Sequence, residues 1–191
     1  MATTAIDLLA PLHRLSVADY LRMAEVGLFE ADGRVELIDG VVVEVNAEGR
    51  PHLKAVAWLL RALLPQVSAE HMVLPQSTLW MPEQRSAPEP DVWVTDAGQL
   101  DTDDPLPLLV IEVSETSLRY DRTTKAALYA RRGVAEYWIV GLADQVVEVR
   151  RRPTGPDWGE LTVHEAGENL RPLQLPGVSV DLAALFAFAG R

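Results

Sequence analysis

The chain has 191 residues, 48% of them hydrophobic and 24% charged. That balance fits one domain with a sizeable core and excludes a chain disordered throughout. The net charge of −11 argues against indiscriminate nucleic-acid binding, and the absence of cysteine excludes disulfides, thiolate zinc sites and Cys nucleophiles.

Ser16 followed by Asp19 is a capping-box start, with Val17, Tyr20, Leu21 and Ala24 at helical spacing and Gly27 as the stop. RVELIDGVVVEV then carries two β-rich runs joined by Asp39-Gly40, the preferred signal for a type I′ hairpin. Pro51 opens a helix whose apolar face holds Leu53, Val56, Leu60 and Leu63 or Leu64, ending near Pro65. Strand-like segments follow: 71–81, bent or broken at Pro75; 91–95; and PLLVIEV at 107–113, apolar enough to be buried on both faces. A helix is expected over 118–132, stopped by Gly133, and a strand over 136–140. QVVEVRRR and ELTVHEA form a hairpin around TGPDWG, and a short helix capped by Asp181 closes the chain.

This order predicts a mixed α/β fold, a central mixed sheet flanked by helices, in one domain over 1–191. No Gly-rich loop follows a strand, so a nucleotide cofactor is not expected, and no GxSxG elbow is present. The longest apolar runs, such as LPLLVI at 106–111, are too short to span a bilayer. The opening MATTAIDLLAP lacks a basic n-region, so a cytoplasmic protein with no membrane contact is expected. His13, His52, His71 and His164 are too scattered for a local metal-ligand spacing. From Leu118 to Arg152 eight basic residues face four acidic ones, a window of +4 on a body of −15. That window is either an ordinary solvated surface or a local anion-facing one.

Three residues stand out chemically. Glu112 ends an otherwise apolar run, where a carboxylate is costly unless it meets water, a cation or a metal. The strand end could project into solvent, or Glu112 could belong to a site at the carboxyl end of a central strand. Asp91, in PEPDVWV, is either a loop aspartate or the partner of Glu112. Together the two carboxylates and a backbone carbonyl, that of Val113, would suit Mg²⁺ or Mn²⁺. Lys125 is one of only two lysines among seventeen basic residues. It shares a helix face with Leu128 and Tyr129, which would turn its ammonium toward the strand ends. An ordinary surface lysine is the alternative.

PEPDVWV, LLVIEVSETS and YDRTTKAALYARRGVAEYWIVG together resemble the family of putative restriction endonucleases common in cyanobacteria and other bacteria. That family belongs to the PD-(D/E)XK nuclease superfamily. RVELIDGVVV and the His52 helix resemble its N-terminal half, so the likeness spans about residues 15–185. It implies a restriction-endonuclease-like core over about 52–141, with an N-terminal helix-hairpin and a C-terminal hairpin added. It implies Asp91 and Glu112 as metal ligands. The superfamily lysine position, two residues after the acidic one, holds Ser114 here, and the resemblance assigns the role to Lys125 on the following helix. Glu36 matches an acidic position of the family, or is an outward strand residue. His52 contacts a phosphate or caps its helix; Tyr137 and Trp138 read as sheet core.

The chemistry so implied is metal-dependent hydrolysis of DNA phosphodiesters, with Arg119 and Arg122 and the arginines at 150–152 holding phosphates. Cutting both strands of a duplex suits a homodimer. Two other readings remain open at this point: a non-catalytic binding or oligomerisation module on the same fold, and a hydrolase of small phosphoesters.

Overall fold

The computed structural model describes residues 12–29, 34–45 and 48–190; the MATTAIDLLAP opening lies outside them. Helix α1 (Val17–Glu25) starts at the expected capping box, with the Asp19 N–H donating to Ser16 Oγ and the Ser16 N–H to the Asp19 carboxylate, both at 3.1 Å. Strands β1 (Val35–Ile38) and β2 (Val41–Glu44) pair across a tight turn. Asp39 and Gly40 both take positive φ, 48° and 75°, as a type I′ turn requires. Helix α2 (Arg50–Leu63) carries Pro51 in its first turn, where the missing N–H costs nothing.

Strands β3 (His71–Pro75), β4 (Val92–Asp96), β5 (Leu109–Ser114), β6 (Glu136–Gly141), β7 (Val146–Thr154) and β8 (Asp157–Glu165) form one sheet in that order. Only the β5–β6 pair is parallel, so the sheet is mixed. The parallel pair needs a crossover, and the segment after β5 supplies it: α3 (Leu118–Tyr120), a π turn (Asp121–Lys125) and α4 (Ala126–Arg132). Strands β9 (Asn169–Leu170) and β10 (Val180–Asp181) pair separately, and α5 (Leu182–Ala189) ends the described chain with Asp181 as its cap.

Strand alternation divides the core into two layers. Val92, Val94, Leu109, Ile111, Val113, Trp138 and Val140 face one way, onto α2 and α5. Trp93, Val110, Tyr137 and Ile139 face the other way, onto α4. Tyr137 and Trp138 are both fully buried core residues, as expected. Glu112 falls between Ile111 and Val113, so its side chain enters the α4 layer.

The strand expected over 71–81, bent or broken at Pro75, is broken there, because Gln76 takes φ +38° and its N–H turns to the Asp91 carbonyl. Two expectations are corrected in detail. The helix expected over 118–132 contains a π turn, and Asp121 and Lys125, its two ends, are both buried. The β7–β8 strands run into the TGPDWG stretch, leaving Gly155 and Pro156 as the turn.

Gly40 sets the geometry of the hairpin that carries Glu36. A Cβ there would lie 2.6 Å from Arg14 Cβ and 2.9 Å from the Leu15 carbonyl, at φ +75°. Gly40→Ala is expected to destabilise the protein by about 1–3 kcal/mol. Urea unfolding followed by tryptophan fluorescence measures this, and an unchanged midpoint would show the hairpin relaxing freely.

Candidate active site

Glu112 is only 3% exposed, so its charge must be met by the protein. Two side chains converge on the same oxygen. Lys125 Nζ donates to Glu112 Oε1 at 2.9 Å, and the Tyr129 hydroxyl donates to it at 2.7 Å. Lys125 and Tyr129 are one helical turn apart, the spacing that puts both on the face looking at β5. Lys125 also donates to Glu36 Oε1 at 3.2 Å, and that oxygen accepts the Glu89 N–H at 2.9 Å. Glu36 is buried, which removes the outward-facing alternative for it.

The second half of the site is built on Asp91. The antiparallel register that pairs Val92 with Ile111 carries Asp91 alongside Glu112. Asp91 Oδ2 accepts the Val113 N–H at 2.7 Å and lies 3.0 Å from His52 Nε2. On its other edge His52 Nδ1 lies 3.1 Å from Glu48 Oε2. His52 therefore does not cap α2, whose N-cap is Gly49; its ring stands buried between two carboxylates. The ligand atoms of Glu48, His52 and Asp91 all lie within 4.8 Å of one another, close enough to share one cation.

All these groups except the fully buried Tyr129 line a cleft of about 800 Å³ between the β1–β2 hairpin, the start of α2 and the α3–π-turn segment. Eight carboxylates line it against three permanent cations, Arg34, Arg119 and Lys125. That imbalance governs the protonation of the site. Burial pushes Glu112 well above the ordinary carboxylate range; Lys125 opposes the shift, while Asp91, Asp121 and Glu36 add to it. Burial alone would lower Lys125, but Glu112, Glu36 and Asp121 outweigh it and hold the ammonium above its usual value. His52 follows the same pattern, burial pulling it down and Asp91 and Glu48 carrying it above the usual imidazole value. Every shift retains positive charge in a site with too little of it.

A model of the Uma2 family, described as putative restriction endonuclease, matches residues 17–183. The chain belongs to the Uma2 family. No curated protein matches it. Among solved structures it is similar to a putative nuclease of the DUF820 group from Anabaena variabilis, at 15% identity and a TM-score of 0.69. The alignment covers 92% of this chain and 99% of that one, so the two share a fold. Among the described residues, no helix is long and apolar enough to cross a membrane.

Within this Uma2 chain, five of the residues singled out from sequence meet in one cleft: Glu36, His52, Asp91, Glu112 and Lys125. Val113 and Arg119 line the same cleft, and Arg119 makes no ion pair among the described residues. Arg122 is not brought there; it pairs with Glu148. The arginines at 150–152 are also engaged, Arg150 with Glu148, Arg151 with Glu136 and Arg152 with Glu160. Arg131 and Arg132 hold Asp39 and Asp104. The basic window is thus largely neutralised in place. Glu48, Asp121 and Tyr129 were missed. The Glu48–His52 spacing of four crosses a helix start, and Asp121 looked like one more surface charge beside Arg122.

Removing the lysine leaves two carboxylates buried without a cation. Lys125→Met is expected to cost about 3–5 kcal/mol at neutral pH, the usual penalty for stranding half of a buried pair. Adding Glu112→Gln to Lys125→Met should recover a large part of that loss. A double-mutant cycle by chemical denaturation tests this, and additive losses would mean that the two groups are not energetically coupled.

Proposed function

We propose that this protein is a divalent-metal-dependent endonuclease that hydrolyses DNA phosphodiesters in the cytoplasm. The observation that carries the reading is the convergence of Asp91, Glu112 and Lys125 in one cleft of a Uma2 chain. A non-catalytic module would have no use for this arrangement. Three carboxylates and a lysine held out of water are costly to keep, and apolar residues of similar size would serve stability better.

The donor set fits a metal on the geometry of these residues alone. Glu36 Oε2 is buried without a hydrogen-bond partner, and the carboxylates of Glu48 and Asp91 are drawn together around His52 despite like charge. In this reading Asp91, Glu112 and the Val113 carbonyl hold the ion, with His52 and Glu48 completing its surroundings. A cation there would polarise the scissile phosphate and lower the pKa of a bound water. Hard oxygen donors suit Mg²⁺ or Mn²⁺.

The protein's own groups divide the remaining work. Lys125, kept protonated by its carboxylate neighbours, is a fixed positive charge rather than a base, and it offsets charge that develops on the phosphate. Tyr129 holds Glu112 in place through the oxygen that Lys125 also uses, leaving Oε2 free to face the ion. Arg119, exposed at the cleft and unpaired among the described residues, contacts a flanking phosphate. A two-fold dimer would present two such clefts to the two strands of a duplex.

Calorimetric titration of Mn²⁺ into wild type should give saturable binding, weakened at least about tenfold in Asp91→Asn and in Glu112→Gln. Plasmid cleavage should require Mn²⁺ or Mg²⁺ and fall by about 10²–10³-fold in Lys125→Ala. Arg119→Ala should flatten the salt dependence of DNA binding measured in Ca²⁺. Wild-type protein that binds no divalent ion, with or without DNA, would overturn the reading.

A further inference from the structure

Ser114 stands where the superfamily pattern has its lysine, and the structure gives this residue a different task. Ser114 Oγ donates to Asp121 Oδ2 at 2.5 Å, and Ser117 Oγ donates to the same oxygen at 2.6 Å. Asp121 is 2% exposed, so its carboxylate is committed to these two hydroxyls inside the protein. Its carbonyl is held as well: the Tyr137 hydroxyl donates to it at 3.2 Å, and it accepts the Ala126 N–H that closes the π turn. Asp121 opens the π turn and Lys125 ends it. The first residue of the turn is therefore tied to the end of β5 and to β6, while the last delivers the ammonium to Glu112 and Glu36.

The wide turn matters because of where it sits. In a regular helix residues 121 and 125 would stack with one hundred degrees per residue, and the added residue of a π turn rotates all that follows. Here both ends of the turn face inward, and Asp121 and Lys125 are the two buried residues within it. A regular helical turn in the same place would change the direction in which Lys125 leaves the backbone.

We propose that Asp121, clasped by Ser114 and Ser117, is a positioning residue that fixes the π turn and thereby sets Lys125 against Glu112. Ser114, at the end of β5, thus anchors the turn that delivers Lys125. The clasp is a statement about the geometry of Lys125; its consequence for hydrolysis rests on the reading of the site given above.

The protein has two lysines, Lys54 and Lys125, which makes a direct test simple. With ¹⁵N-labelled lysine, the side-chain Nζ signal of Lys125 should be resolved, slowly exchanging, and removed by Lys125→Met. Asp121→Ala and the milder Ser114→Ala should move that signal toward the position and fast exchange of a solvated lysine. Asp121→Asn should preserve it, because one amide oxygen can accept both hydroxyls. In nuclease assays Asp121→Ala should lower kcat at least about tenfold with little change in KM, and Asp121→Asn should restore most of it. A Lys125 signal unchanged in both alanine variants would overturn the proposal. So would Asp121→Asn failing as fully as Asp121→Ala while remaining folded, since charge rather than the clasp would then be what matters. Wild type without nuclease activity would refute the functional reading, but the lysine signals would still decide the clasp.

Discussion

The carboxylate of Glu112 sits in the middle of a strand buried on both faces, and much of the surrounding structure answers that placement. A lone ionised carboxylate there would cost several kilocalories per mole. Its charge is met by a lysine from the crossover and a tyrosine hydroxyl one turn further on, both on Oε1. The crossover must therefore run close over β5, with its inner face polar at Asp121 and Lys125 and apolar at Ala126, Leu128 and Ala130. Trp158 from β8 fixes the same helix from the far side by donating to the Ala126 carbonyl at 2.9 Å.

The charge on the molecule is sorted rather than merely negative. Outside the cleft Arg122, Arg150, Arg151 and Arg152 are paired with acids on β6, β7 and β8, a ladder in which Arg151 serves the fully buried Glu136. Glu136 is satisfied further by Trp138 and by the Leu173 N–H, so its role is structural. Inside the cleft the acids outnumber the bases and the pKa shifts run toward keeping protons and ammonium. Two kinds of buried acid thus coexist. One is fully paired and holds the sheet to its C-terminal segment; the other is left short of positive charge, which is the condition under which a divalent cation binds.

Most of the framework was legible because its signals are local. A capping box, an Asp-Gly turn, a Pro at a helix start and a Gly at a helix end each act over a few residues, and all four hold. Glu112 was legible for a different reason, being polar at a place where polarity needs an explanation; Asp91 and Lys125, readable on their own as a loop aspartate and a surface lysine, gained meaning from Glu112 and from the family resemblance. Glu48 and Asp121 were not legible, because each is an ordinary charge in its own neighbourhood and acquires meaning only from a distant partner. The π turn left no sequence mark either, since helical periodicity does not register one added residue. Of the two readings of the basic window, the ordinary one holds for most of its arginines, and linear counting could not decide it because the matching acids lie on neighbouring strands.

Glu36 shows why the N-terminal addition belongs to the site. It reaches Lys125 across 89 residues of sequence, and the hairpin carrying it is stitched to the segment that leads into Asp91. The Ala87 N–H donates to the Leu37 carbonyl, the Gly40 N–H to the Arg85 carbonyl, both at 2.7 Å, and the Asp39 N–H to Ser86 Oγ at 2.9 Å. The Glu89 N–H then completes the seam on Glu36 itself. Only Asp91 and the proline before it remain between this seam and β4. A shift of the hairpin would therefore move Glu36 and the approach to Asp91 together. The core supplies two of the charged groups on adjacent strands, and the hairpin fixes the distance at which the third meets them.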